Sequence, residues 1–395
     1  MHPPDADAVV VRYGDASVKS SRVQADMEAR LVENLRALLA DRDVAGTVER
    51  RWTRPIVRTD APDAAAAAGA DAFGVANVSP ARSVAPDLDA VVDAVANAAA
   101  AVYDDPDATF AVDADRAGEH PFGSDDVERA AGAAVFDAVD FEPTVDLDAP
   151  DVTFGVEVRA DEAFVFLERR PGPGGLPLGS QAPLVALVSG GIDSPVAAYE
   201  AMKRGSPVVP VYLDLGDYGG ADHRARALET VRRLARYAPT VDLTTWVVPA
   251  GDVAATLVAE MEQGRMLSFH RFAYRVGEVV AERVGAVGVV TGEAVGQKSS
   301  QTARNLGVTS RAVDLPVHRP LLTMDKDDVT ERARAIGTFR ESTIPAGCDR
   351  IVPDQVETNA SHERLLAAEP DGLLDRATGA VDDAERVDPT APPDD

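Results

Sequence analysis

The chain of 395 residues contains a single cysteine, Cys348, and this scarcity limits its chemistry. One chain can form no internal disulfide and no metal site built from cysteines alone. The sequence has no uncharged apolar window of about 18 residues, which argues against a membrane-spanning helix. The opening residues lack the basic-then-apolar order of a signal peptide, so we predict a cytoplasmic protein with no membrane partner.

Lysine is nearly absent, and the formal net charge is −27. Only Lys19, Lys203, Lys298 and Lys326 occur, so arginine supplies almost all of the positive charge. Because the acidic residues are spread along the chain, we favour a protein from a very salty cytoplasm over one that repels polyanions. At molar salt the screening length is about 3 Å, so nucleic-acid binding would depend on close contacts.

Short strands and helices alternate over the first 170 residues. Residues 1–62 form a predicted α+β unit with a strand at 7–13, a helix, and a pair of strands over residues 46–59. Residues 63–170 form a second such unit, with helices predicted at 87–103 and 124–139. Residues 171–181 contain PGPGGLPLG, which predicts a linker or an ordered turn.

The pattern changes at residue 182. Continuous apolar strands such as PLVALV alternate with helices up to about residue 370. This order predicts a doubly wound parallel sheet whose ligand lies at the C-terminal strand ends. Residues 371–395 are acidic and rich in proline, which predicts a disordered tail.

The segment SGGIDS, residues 189–194, follows the first strand of this region and precedes a helix that we expect to begin at Pro195. Glycine-rich turns at a helix N-terminus bind phosphate through backbone N–H groups and the helix dipole. A Walker loop would need a lysine here, and its absence argues against γ-phosphate transfer. A tight strand-to-helix turn without a ligand is the alternative.

SGGIDS resembles the PP-loop of ATP pyrophosphatases, which split ATP into AMP and pyrophosphate. Further segments, in order across about residues 8–365, resemble the tRNA 4-thiouridine synthase family: YGDASVKS, VDLDAPDVTFGVEV, PGPGGLPLG, TGEAVGQKSSQTARNL, HRPLLTMDKDDV and IPAGC. The resemblance implies an N-terminal ferredoxin-like α+β unit, a THUMP RNA-binding domain over residues 63–170, and a C-terminal PP-loop domain over 182–370.

The resemblance implies ATP-dependent sulfur transfer to uridine-8 of tRNA. The uracil oxygen would become adenylated with release of pyrophosphate, and a sulfur nucleophile would then displace AMP to give 4-thiouridine. Bacterial relatives also serve thiazole synthesis, so a role in thiamine biosynthesis stays open. A PP-loop amide synthetase and a tRNA-binding protein without catalysis are the alternatives.

The resemblance also assigns roles to individual residues. Those assigned to ATP are Leu187, Val188, Ser189, Gly190, Gly191, Ser194, Tyr212, Leu213, Arg271, Gly292 and Gln301. Asp193, Lys326 and Cys348 are assigned to catalysis, with Mg²⁺ arriving on ATP and meeting Asp193. Glu293 is either a nucleotide contact or a helix-start acid, and His270 stays undecided, with packing favoured.

Each catalytic assignment has a structural alternative. Asp193 would otherwise cap its own helix, and Lys326 would otherwise form a surface ion pair with Asp325 or Asp328. Cys348 would bear or attack a persulfide, and would otherwise be a buried and inert thiol. No second cysteine of the same chain can resolve a persulfide on Cys348. A separate sulfur donor, a partner chain in a homodimer, or free sulfide must therefore complete the cycle.

One cluster of positive charge is assigned to tRNA. It is the strongest in the chain and consists of Lys19, Arg50, Arg51, Arg54 and Arg58. The alternative is a solvated strand face whose arginines balance nearby aspartates.

Overall fold

The computed structural model describes residues 1–14, 21–51, 54–219, 221–342, 351–352 and 356–391. The chain divides into two compact units, Met1–Pro177 and Leu178–Asp395. Lys19 and Cys348, two of the predicted site residues, lie outside the described residues. No helix in the described part of the chain is long and apolar enough to cross a membrane.

The first unit alternates strands and helices as its sequence predicts. Its strands are β1 (Ala8–Tyr13), β2 (Thr47–Arg51), β3 (Arg54–Arg58), β4 (Val75–Val84), β5 (Thr109–Arg116), β6 (Thr144–Val145), β7 (Val152–Val158), β8 (Ala163–Phe166) and β9 (Arg170–Pro171). Its helices are α1 (Ser21–Asp41), α2 (Pro62–Gly69), α3 (Leu88–Val102) and α4 (Ser124–Ala138).

The described strands of this unit form one nine-stranded sheet in the order β2-β3-β1-β4-β8-β7-β5-β6, with β9 paired to β4. β2 and β3 pair antiparallel, which confirms the predicted pair of strands. β1 lies antiparallel between β3 and β4, with Val9 opposite both Val57 and Pro80. The second half of the sheet packs under α3 and α4 through an apolar cluster that includes Val95, Phe110 and Phe154.

The predicted domain boundary at residue 62 is wrong, because it divides a continuous core. Ala65 of α2 and Val78 of β4 pack with Val9, Leu31 and Leu35 in one buried cluster. β4 also pairs with β1 along its length. Helix α2 is rich in alanine and has no large apolar side chain to mark its buried face, so the hydrophobic pattern does not reveal its place in the first core.

The glycine-rich segment after β9 is an ordered turn, the second of the two predicted alternatives. Gly174 donates its N–H to the carbonyl of Val75, and Gly74 donates to the carbonyl of Gly174, both at 2.8 Å. Gly174 and Gly175 have φ of +69° and +77°, a left-handed conformation that favours glycine.

The second unit contains six described strands, β10 (Leu184–Val188), β11 (Val208–Asp214), β12 (Thr245–Pro249), β13 (Val289–Val290), β14 (Val317–His318) and β15 (Glu385–Val387). Its described helices are α5 (Asp193–Lys203), α6 (Ala221–Ala235), α7 (Gly251–Glu260), α8 (Arg265–Val284), α9 (Ala303–Thr309), α10 (Lys326–Ala335), α11 (Phe339–Ser342), α12 (His362–Ala368) and α13 (Arg376–Asp382).

The sheet of the second unit has the order β14-β13-β10-β11-β12-β15. Strands β10 to β14 pair in parallel, and only the edge strand β15 is antiparallel among the described strands. The chain moves outward from β10 in one direction to β11 and β12, and in the other to β13 and β14. The strand order therefore reverses beside β10, and a crevice for a ligand is expected at its C-terminal end.

The predicted disordered tail over 371–395 is wrong for most of its length. Leu373, Ala377 and Val381 are buried in the apolar core of the second unit, and β15 pairs with β12. Asp382 also forms an ion pair with Arg283 at 2.6 Å. The acidic composition of this segment obscured a helical spacing of apolar residues, three and four apart, that is long enough for one packed helix.

Candidate active site

The SGGIDS loop, residues 189–194, links β10 to α5 and is closed by its own serines. The N–H of Ser189 donates to Oγ of Ser194 at 2.8 Å, and the N–H of Gly191 donates to Oγ of Ser189 at 3.3 Å. Helix α5 begins at Asp193, two residues before the predicted start at Pro195. Asp193 and Ser194 therefore stand in the first turn of the helix, where the dipole favours an anion.

Two glycines permit close packing around this loop. A Cβ on Gly190 would lie 3.0 Å from Cδ2 of His223. A Cβ on Gly292 would lie 2.7 Å from the backbone carbon of Asp193 and the nitrogen of Ser194. Neither contact leaves room for a larger residue, so the segment after β13 rests directly on the loop.

A cleft of about 200 Å³ opens at the loop and the neighbouring strand ends. Eight of the eleven residues assigned to ATP line it: Leu187, Val188, Ser189, Ser194, Tyr212, Leu213, Gly292 and Gln301. Asp193 and Glu293 also line it, whereas Gly190 and Gly191 do not. The cleft spans the ends of β10, β11 and β13, which is the crevice that the strand order predicts.

A second and larger cavity, of about 680 Å³, lies at the ends of β11 and β12 beside α13. Four acidic side chains and two arginines line it, namely Asp214, Asp252, Asp383, Glu385, Arg224 and Arg376. Arg224 is already paired with Glu385 at 2.6 Å. An excess of carboxylates disfavours a polyphosphate, so we assign the chemistry to the smaller cleft despite its size.

Two of the three residues assigned to catalysis, Asp193 and Lys326, are in contact with each other. Nζ of Lys326, the first residue of α10, donates to Oδ1 of Asp193 at 2.7 Å. The ion-pair partner of Lys326 is therefore Asp193, and not Asp325 or Asp328, the two alternatives that the sequence offered. The Lys326 side chain is 52% exposed and that of Asp193 is 21% exposed, so both remain accessible to a ligand at the loop.

A buried polar network forms part of the wall of the cleft. Glu293 accepts hydrogen bonds from the hydroxyl of Tyr274 and from Nε of Arg319, the latter at 3.1 Å. Its other oxygen lies 3.2 Å from Nδ1 of His270. Burial would raise the pKa of Glu293, but His270, Arg319 and Tyr274 outweigh it and lower the pKa to about 2. Glu293 is therefore an anion that fixes His270 and Tyr274 in place.

This depressed pKa predicts acid sensitivity. Since the folded pKa of Glu293 lies below its ordinary value of 4.5, its stabilising effect is complete above pH 4.5 and disappears as the pH falls towards 2. Between about pH 6 and pH 2, urea unfolding in molar KCl should show the wild type losing about 3 kcal/mol more than Glu293→Gln. Equal losses in both proteins would contradict the assigned network.

The assignment of Arg271 to ATP is corrected by the structure. Arg271 is 3% exposed, and its Nε donates to Oε1 of Glu369 at 2.8 Å. It does not line the cleft, whereas the preceding residue His270 does. The two residues are one helical step, about 100°, apart on α8, so only one of them can face the strand ends.

Arg271 should therefore contribute to stability and not to ATP affinity. Both side chains of its pair with Glu369 are more than nine-tenths buried, so Arg271→Met should lower the free energy of unfolding by about 3 kcal/mol or more. Urea denaturation measures the loss. The double variant Arg271→Met/Glu369→Met should recover most of it, because no buried charge is then left unpaired. Unchanged stability with lost ATP affinity would contradict this role.

Several residues that line the cleft were not predicted, among them His223, Phe269, Ala273, Tyr274, Thr291 and Lys298. Phe269, Ala273 and Tyr274 lie on the same face of α8 as His270. Their helical spacing from His270 predicts this shared face once His270 is known to line the cleft. The scarcity of lysine singled out Lys326, and the same argument applied to Lys298 would have found it. The sequence contains no comparable signal for His223.

The described arginines of the cluster assigned to tRNA are all paired with carboxylates. The pairs are Arg50 with Glu28, Arg51 with Glu49 and Asp161, Arg54 with Glu157, and Arg58 with Glu162. The face is balanced as the alternative predicts, but four of these five carboxylates belong to glutamates and one, Asp161, to an aspartate. Arg50 and Arg51 keep 47% and 38% of their side chains exposed.

The described residues contain no group of three or more His, Cys, Asp or Glu side chains that could hold a metal ion. Mg²⁺ is often bound by one or two carboxylates together with substrate phosphates. The single carboxylate of Asp193 beside the loop fits an ion of this kind that arrives with a nucleotide.

Comparison with known families divides the chain into three parts. Residues 8–79 match the ThiI ferredoxin-like domain, residues 85–168 match the THUMP domain, and residues 179–372 match the thiamine biosynthesis protein (ThiI) family. The first match extends past residue 62 into β4, in agreement with the core described above.

Whole-chain relatives are similar along nearly the full length. A "Probable tRNA sulfurtransferase" of Halobacterium salinarum is 61% identical over 390 residues, covering 98% of this chain and 99% of the relative. One of Methanosarcina acetivorans is 38% identical, covering 92% and 89%. A crystal structure of a 4-thiouridine synthetase–RNA complex with bound ATP matches with a TM-score of 0.83 and 27% identity, covering 97% of this chain and 99% of that one.

The fold and the site together define a THUMP-containing protein of the ThiI type, in which a parallel α/β unit follows a ferredoxin-like and a THUMP domain. The chain belongs to the tRNA sulfurtransferase family, as its full-length identity of 61% shows.

Proposed function

We propose that this protein transfers sulfur to uridine-8 of tRNA to give 4-thiouridine, with ATP cleaved to AMP and pyrophosphate. The observation that carries the proposal is the ion pair of Asp193 with Lys326 at the mouth of the SGGIDS loop. This ion pair joins the SGGIDS loop, which is suited to bind phosphate, to the distant HRPLLTMDKDDV segment. Both segments resemble motifs of the family. The similarity to an ATP-bound 4-thiouridine synthetase supports the same reading.

ATP would lie across the strand ends. Its adenosine would contact the apolar ends of β10 and β11, at Leu187, Val188 and Leu213, which line the cleft. Gln301 has one buried amide oxygen without a hydrogen-bond partner, and an N–H of the base would satisfy it. The phosphates would then point to Ser189, Ser194 and the first turn of α5, where free N–H groups and the helix dipole attract anions.

The reaction needs a better leaving group at C4 of uracil. Attack of the uracil oxygen on the α-phosphorus of ATP forms an oxygen–phosphorus bond and breaks the bond to pyrophosphate. Lys326 would balance the charge that develops on the phosphates, and Asp193 would hold the Lys326 ammonium in place and offer an oxygen to Mg²⁺ bound with ATP. Fixed charges of this kind stabilise the transition state without reorganisation.

Sulfur transfer completes the cycle. The outer sulfur of a persulfide would attack C4, and AMP would leave with the former uracil oxygen, so that a disulfide would join uracil to the sulfur carrier. A thiol would then attack the carrier sulfur of this disulfide, forming a new disulfide with the carrier and releasing 4-thiouridine. Cys348 is assigned to this step as the carrier or the attacking thiol, with a separate donor to restore it. The ferredoxin-like and THUMP domains would bind tRNA, with Arg50 and Arg51 among the contacts.

The test is a thiolation assay in molar KCl. Purified protein, tRNA transcript, ATP and a persulfide or sulfide donor should yield 4-thiouridine, detected by its near-UV absorbance and by nucleoside mass spectrometry. AMP and pyrophosphate should form in equal amounts and only with tRNA present. A transcript with cytidine at position 8 is the matched control and should give neither product. Formation of ADP would contradict the proposal.

A further inference from the structure

A buried histidine of the cleft lies against the SGGIDS loop. His223 lies in the first turn of α6, is 3% exposed, and lines the cleft. A Cβ on Gly190 would lie 3.0 Å from Cδ2 and 3.3 Å from Nε2 of His223. Because Gly190 has no side chain, nothing separates this edge of the ring from the loop backbone.

The opposite edge of the ring is held by the strand next to β10. Nδ1 of His223 lies 2.9 Å from the hydroxyl of Tyr212, and this contact is buried. Tyr212 is 1% exposed and stands beside Val188 in the parallel pairing of β11 with β10. The imidazole is therefore fixed between the end of β11 and the loop.

The charge and tautomer of the ring determine what it can offer. Burial lowers the pKa of His223, and the nearby Arg226 lowers it further, so the ring is neutral at neutral pH and carries one proton. If the Tyr212 hydroxyl donates to Nδ1, the proton lies on Nε2 and faces the loop. The other tautomer would direct a lone pair at any anion there, so an anion selects the first.

We propose that His223 donates a hydrogen bond from Nε2 to the departing pyrophosphate, and that Tyr212 fixes the ring for this purpose. The inference rests on the proposed function, which supplies the pyrophosphate. A short hydrogen bond suits a protein that works in concentrated salt, because screening removes long-range attraction but leaves direct contacts intact. It also adds a hydrogen-bond donor to a cleft in which Lys298 is the one lysine or arginine among the described lining residues.

Two amide variants separate the ring positions. In His223→Gln the amide nitrogen reaches close to the Nε2 position, whereas in His223→Asn it stays close to Nδ1. His318→Gln is the matched control, because His318 belongs to the same unit but does not line the cleft. The measurements are kcat and KM of tRNA-dependent AMP formation, inhibition by added pyrophosphate, the affinity for AMP, and the melting temperature.

We expect His223→Asn to lower kcat and weaken pyrophosphate inhibition by about tenfold to a hundredfold, the size of one hydrogen bond to a charged acceptor. AMP affinity should stay within about twofold, since AMP does not need this donor. His223→Gln should remain within about threefold of the wild type. Tyr212→Phe should shift pyrophosphate inhibition in the same direction by a smaller factor.

Equal losses of kcat in His223→Asn and His223→Gln would overturn the inference. So would a fall in AMP affinity that parallels a fall in melting temperature, because it would show that His223 acts through packing alone. A wild-type protein that forms ADP in place of AMP would instead overturn the proposed function, and with it this inference.

Discussion

Asp193→Asn should lower tRNA-dependent pyrophosphate release by about a hundredfold to a thousandfold, the usual cost of losing one fixed charge from a transition state. The substitution keeps the shape of the side chain but removes the negative charge that holds Nζ of Lys326 at 2.7 Å. It also removes the one carboxylate of the loop that is available to Mg²⁺. Quantification of pyrophosphate and AMP over time, with saturating tRNA, measures the effect.

Asp252→Asn is the matched control for this variant. Asp252 also lies in the first turn of a helix of the same unit, but it does not line the cleft. It should leave the rate unchanged. Because Asp193 and Lys326 are in contact, Asp193→Asn/Lys326→Met should cost little more than Asp193→Asn alone. Strict additivity of the two losses, or a normal rate in Asp193→Asn, would remove the pair from catalysis.

Cys348→Ala should divide the reaction into its two halves. With a persulfide donor, 4-thiouridine formation should fall by about a hundredfold or more, while pyrophosphate release stays within about twofold. The chain has no other cysteine that could take over, which makes the result simple to interpret. Adenylated tRNA should accumulate, and mass spectrometry of the intact RNA would detect it.

Free sulfide provides the control for the sulfur step. At high concentration it should attack the adenylated uridine directly and restore thiolation by Cys348→Ala, because sulfide needs no thiol carrier. Full activity of the variant with the persulfide donor would remove the proposed role of Cys348. Loss of pyrophosphate release would show that the cysteine supports the adenylation step.

Local chemistry explains which parts of the site were predictable. The loop residues and the strand-end residues Leu187, Val188, Tyr212 and Leu213 lie within or next to apolar strands and motifs, and the parallel sheet brings them to one edge. The three-part organisation was also visible, since it follows from short alternating elements and a change of pattern at residue 182.

Partner choice over long distances was not predictable. Lys326 lies 133 residues from Asp193, and acidic neighbours in its own helix offered simpler partners. Arg271 lies 98 residues from Glu369, and nothing in the local pattern shows that its charge is already neutralised. The neighbours of a residue in the sequence do not indicate the contacts that form only when the sheet folds.

The antiparallel strand at the end of the described chain affects how the protein can be shortened. Truncation after residue 372, where the family match ends, would remove α13 and β15. The edge of β12 that pairs with β15 would then expose its unpaired backbone N–H and C=O groups. An unprotected edge next to freshly uncovered apolar side chains invites strand-to-strand association between copies. Trimmed versions designed for crystallisation should therefore retain residues up to at least Val387 to stay monodisperse.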